Sequence, residues 1–73
     1  MSAPAREHDT LAAALPREMV RVARLTAQYR AVEGGELAAR LMDASIDRAQ
    51  AAIEAADLPE MIRAYRDLKG YGS

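Results

Sequence analysis

Two punctuation marks constrain what this chain can fold into. Gly34-Gly35 and Asp57-Leu-Pro-Glu60 cut a sequence of strong helix formers into three segments. Glycine supplies the left-handed residue that closes a helix and costs stability inside one. Asp57 can accept hydrogen bonds from free amides, Pro59 suits a first turn, and Glu60 completes a capping box, so a new helix starts there. The alternation expected of a half-buried strand is absent, and the spacing of apolar residues follows the helical period. The fold class is therefore all-α: a small three-helix bundle, an antiparallel helical hairpin followed by a short C-terminal helix across it. Residues 1–9 read as a flexible tail, and 10–73 as a single helical domain.

The segments follow from local chemistry. Asp9 or Thr10 can cap a short turn of helix through Leu11–Leu15. Pro16 disfavours helix at the residue before it, so Leu15 is the expected boundary and Pro16 the first residue of the next helix. That helix is expected over 16–33, with Met19, Val22, Leu25 or Thr26, Tyr29 and Val32 on one face. A two-residue break at Gly34-Gly35 then implies an antiparallel neighbour. The next helix, 36–56, steps through Ala38, Met42, Ile46 or Ser45, Ala49, Ile53 and Ala56. This is close to a coiled-coil seam, which Leu37 and Leu41 widen at its start. The last helix, 58–69, places Leu58, Met61, Ile62, Tyr65 and Leu68 on a stripe, with Arg63, Arg66 and Lys69 toward its negative end. Gly70 ends it, and Tyr71 has room to fold back onto the last turn.

Composition narrows what such a bundle can do. The apolar fraction is 51% of 73 residues, but seventeen of those residues are alanine, and Phe and Trp are absent. The core must come from Leu, Ile, Val, Met and Tyr, and it is thin. A chain of this size buries only about 60% of the surface its unfolded form exposes. There is no cysteine, hence no disulfide staple or thiolate metal site. The lone His8 cannot build a metal cage. Self-association or a partner is the remaining way to add stability. The net charge of −1 argues against a general nucleic-acid coat and against a polybasic membrane binder. No apolar run approaches the roughly 20 residues that span a bilayer, and residues 1–5 do not resemble the start of a signal peptide. The expected location is the cytoplasm, with no membrane association.

Two charged faces are candidate interfaces. Arg17, Arg21, Arg24 and Gln28 recur at i, i+4, i+7 and i+11, so they share one helix face that can grip phosphates. The plain alternative is a solvated face paired with Glu18 or with acids on the neighbouring helix. The other face runs along the third segment. Residues 34–57 hold five acids and two arginines, a local net of −3, with Asp43, Asp47 and Glu54 on the outside. Such a face can dock on a basic surface, or simply be solvated. Asp43 and Asp47 repel at i, i+4, which stability alone does not favour. Tyr71, beyond the last helix, is a candidate exposed anchor. Tyr29 and Tyr65 fall on apolar stripes as core or groove residues with hydroxyls at the rim. Met19, Met42 and Met61 read as core filler.

Catalysis and cofactor binding have no support in the residue pattern. Acid–base chemistry needs carboxylates converging in a pocket, and these acids lie on outward faces. The Glu-x-x-His pattern of bundle di-metal sites is missing. The expectation is a non-enzyme without cofactor. A helix-turn-helix reader is disfavoured, because the Gly34-Gly35 junction is short and the helix after it long and acidic.

The stretch Asp57-Leu-Pro-Glu-Met-Ile-Arg-Ala-Tyr-Arg-Asp-Leu-Lys-Gly-Tyr71, with Ala27-Gln-Tyr-Arg-Ala31 upstream, resembles small alanine-rich helical proteins encoded by phages and prophages of proteobacteria. In those a long alanine-rich helix precedes a short one with a Leu-Lys-Gly-Tyr-like end. The resemblance covers residues 17–71 and implies a setting, not a mechanism, because those proteins are mostly uncharacterised. The resulting expectation is a non-enzymatic protein-binding module, as a phage accessory protein or an inhibitor of a host complex. The alternatives are a nucleic-acid-binding regulator that uses Arg17, Arg21 and Arg24, and a structural homo-oligomer.

Overall fold

The computed structural model describes residues 10–72; the tail 1–9, with His8, lies outside the described residues. Three helices follow in order: α1, Leu11–Arg30; α2, Glu36–Ala55; and α3, Leu58–Lys69. They form the expected three-helix bundle, and each helix packs against the other two. No helix is long and apolar enough to cross a membrane among the described residues.

Pro16 does not divide the first helical stretch. The Thr10 side chain accepts from the Ala13 amide at 3.2 Å, and α1 then runs unbroken through Pro16. The expected boundary at Leu15 is corrected by packing. Leu15 is fully buried, and Leu11 packs against the same core. Pro16 lacks one amide, so it costs one hydrogen bond to the Ala12 carbonyl. Ala12 is exposed, so water can replace the lost partner. Core burial on both sides of the proline outweighs that local loss.

The α1–α2 junction is also longer than its sequence suggests. α1 stops at Arg30, not at residue 33, and Val32 donates back to the Tyr29 carbonyl at 3.2 Å. Gly34 takes φ +86°, a left-handed value that only glycine adopts without strain. At Gly35 a β-carbon would lie 2.0 Å from the Tyr29 carbonyl oxygen. Both glycines are thus required, one by conformation and one by space.

On α2 the buried stripe is Ala39, Met42, Ser45, Ala49 and Ala52, while Ile46 and Ile53 are half-buried. The expected seam is therefore turned by about one position. Small residues at the centre let the helices approach closely, and the larger isoleucines fill the edges. Ser45 is fully buried. Ala56 falls outside the helix and takes φ 52°. It closes α2 with the Asp57 amide reaching the Ala52 carbonyl and the Ala56 amide reaching Ile53, the paired bonds of a Schellman ending. Asp57 then caps α3 by accepting from the Glu60 amide at 3.2 Å.

The core holds Leu15, Val22, Met42, Ala49, Ala64 and Leu68, edged by Met19, Met61, Tyr65 and Tyr71. Leu37 and Leu41, expected to widen the seam, are instead 68% and 55% exposed. The reason is length. The helical rise makes α1 and α2 about 30 Å long and α3 about 18 Å, so α3 cannot cover the whole hairpin.

Candidate interaction surfaces

The end of α3 is fastened in place by polar contacts from both other helices. Arg21 donates to the carbonyls of Leu68 at 2.8 Å and Tyr71 at 3.0 Å, and its guanidinium also pairs with Glu18 at 2.9 Å. A cation at a helix C-terminus complements the partial negative charge of its unsatisfied carbonyls. The Tyr71 hydroxyl donates to the Leu41 carbonyl at 3.2 Å and shares a 2.8 Å hydrogen bond with Ser45 Oγ. Arg48 donates to Ser45 Oγ and to Asp67. Buried Ser45 is thus satisfied, and no buried side-chain nitrogen or oxygen lacks a partner among the described residues.

These contacts revise two candidate sites. Tyr71 is half-buried, and its hydroxyl is committed to α2. The expected exposed anchor is instead a fastening that ties the chain end to the hairpin. Arg21 is committed to α3, so the arginine face is not a free row of phosphate donors. Arg17, Arg21, Arg24 and Gln28 do line one groove of about 660 Å³, together with Pro16, Val20 and Leu25. Sequence reasoning found the arginines but missed the apolar floor between them. Its signal was present as Pro16 and Val20, one turn apart beside the arginine stripe. Arg24 makes no hydrogen bond or ion pair among the described residues, and Val20 is 51% exposed.

The acidic face is divided. Asp43 takes a 2.6 Å bond from Arg30, which braces α1 against α2. That hydrogen bond, and then the charge of Asp43, push the Arg30 guanidinium above its ordinary value. Glu54 accepts from Gln50 at 3.1 Å. Asp47 is exposed and has no partner among the described residues. Asp47 and Glu54 therefore remain outward, while Asp43 belongs to the hairpin.

A third surface was not anticipated. α3 ends beside Leu25 and Leu41: a methyl added at Gly72 would meet Leu25 Cδ2 at 2.9 Å, and Tyr71 bonds the Leu41 carbonyl. Past that point the hairpin continues without α3. Tyr29, Val32 and Leu37 lie there and Leu41 lies at its edge, with exposures of 37%, 57%, 68% and 55% in that order. The overlooked signal was the difference in length between α3 and the helices it packs on. No group of three or more His, Cys, Asp or Glu that could hold a metal ion occurs among the described residues. Compared with family models, curated proteins and solved structures, the chain gives no significant match.

Proposed function

We propose that this chain is a non-enzymatic helical protein-binding module that works in the cytoplasm. In the phage setting its sequence resembles, it serves as an accessory protein or as an inhibitor of a host complex. One observation carries the reading. Among the described residues, seven large apolar side chains are 37–68% exposed, while of the large ones only Leu15, Val22 and Leu68 are fully buried. An exposed apolar surface gathered at one end of a small protein marks an interaction site. The hairpin tip, Tyr29, Val32, Leu37 and Leu41, is that surface, with outward Asp47 and Glu54 farther along α2 and Asp43 near its start. Tyr71 supports the tip from below by fixing the Leu41 backbone.

The nucleic-acid alternative, through Arg17, Arg21 and Arg24, is less well supported. Arg21 is spent on helix carbonyls, and the groove between the arginines is floored by carbon. The deciding experiment captures partners on tagged full-length chain, with and without nuclease, beside a Leu37→Glu/Leu41→Glu variant. Capture that survives nuclease and is lost in the variant supports the module. Capture lost on nuclease treatment and kept by the variant overturns it.

A further inference from the structure

We propose that the α1 groove takes the outer face of α2 from a second copy of this chain, joining copies head to tail. The inference rests on the protein-binding reading and names one partner for the acidic face. The groove and that face are complementary in charge. The seven residues that line the groove include three arginines and no acid, with Pro16, Val20 and Leu25 as apolar contacts. The exposed face of α2 carries Asp47 and Glu54 outward beside Ala44 and Ala51, small residues that allow a close approach. Asp47 and Arg24 are each without a partner among the described residues. The two surfaces lie on different helices, and no ion pair joins Arg24 to Asp47 within one copy among the described residues. A net charge of −1 leaves little overall repulsion between copies.

The geometry has a specific consequence. Groove and face are different patches, so the contact is heterologous: each copy can give one and take one, which generates rings or open chains rather than a two-fold dimer. Complementary charges at the contact make the association weaken with salt.

The test uses two charge reversals on exposed residues, Arg24→Glu and Asp47→Arg, measured by sedimentation velocity across about two decades of concentration. The wild type should show oligomers larger than a dimer that grow with concentration and shrink with added salt. Each variant alone should be monomeric, because one half of every contact is spoiled. Mixed in equal amounts, the variants should regain association and build alternating assemblies larger than a dimer. The Asp47→Arg copy keeps its groove for the acidic face of the Arg24→Glu copy, and at the next contact the two reversed charges attract again. Circular dichroism of each variant checks that the helices remain. A wild type that stays monomeric throughout overturns the proposal, and so does a mixture that remains monomeric. If partner capture at Leu37 and Leu41 persists in either case, the binding-module reading stands and only the self-contact fails.

Discussion

Arg21 on α1 closes the end of α3 by donating to the carbonyl of Leu68, 47 residues away, at 2.8 Å. One side chain thus holds the C-terminal helix to the first one. Replacing it with alanine removes the bonds to Leu68 and Tyr71 together with the pair to Glu18. Charged hydrogen bonds of this kind contribute about 1–2 kcal/mol when partly exposed. Arg21→Ala is expected to lower stability by that order in urea unfolding. Arg24→Ala, one turn along, should leave it nearly unchanged. Equal effects would show that Arg21 acts only through general surface charge.

Tyr71→Phe isolates the hydroxyl that meets Leu41 and Ser45. Ser45 still accepts from Arg48, so its buried oxygen keeps a partner. The expected loss is about 1 kcal/mol, read as a lower thermal midpoint with an unchanged far-ultraviolet spectrum. Tyr71→Ala also removes the ring from the core edge and should cost more. A Phe variant as stable as the wild type would mean that the ring alone holds the chain end.

Pro16→Ala should stabilise the protein. It restores an amide within α1, whose carbonyl partner at Ala12 is exposed. Against that gain stands the greater freedom of the unfolded chain without proline. The helix-interior cost of proline is the larger quantity, so a net gain of about 1–2 kcal/mol is expected in thermal unfolding. A loss would indicate that the groove side of α1 uses the proline ring for packing.

Ala56 holds φ 52° without being glycine. A left-handed alanine costs roughly 1 kcal/mol, so Ala56→Gly should raise stability by about that amount. Gly35→Ala should do the reverse and more, because its β-carbon would press on the Tyr29 carbonyl. Denaturant midpoints of the two variants should move in opposite directions.

The sequence made some features legible because they are local. α3 runs over the expected residues 58–69, and Asp57 caps it as its spacing implies. The glycine pair marks the hairpin turn. The remainder depends on distant contacts. Pro16 is a strong local breaker, yet Leu15 is held by the core, and a rule that sees only neighbours cannot weigh that burial. The α2 stripe could not be placed to within one position, since alanines occur on nearly every side of that helix. The commitments of Arg21 and Tyr71 join residues 26 to 50 apart, and no spacing rule reaches that far. Leu37 and Leu41 read as core because the pattern shows which residues are apolar but not where the covering helix stops.

The shortness of α3 also makes the molecule mechanically unequal along its length. At one end three helices enclose the core. At the other only a pair remains, joined by the Gly34 turn and braced by the exposed Arg30–Asp43 contact. Local opening requires least energy where fewest apolar contacts must be broken. The turn end should therefore breathe while the proline end stays shut, with amide protons near Tyr29 and Leu37 exchanging well before those near Val22 and Ala49. Whatever settles on the hairpin tip would then do more than cover carbon. It would complete the missing third of the wall and quiet the loose end, so binding would register as a gain in rigidity far larger than the contact itself.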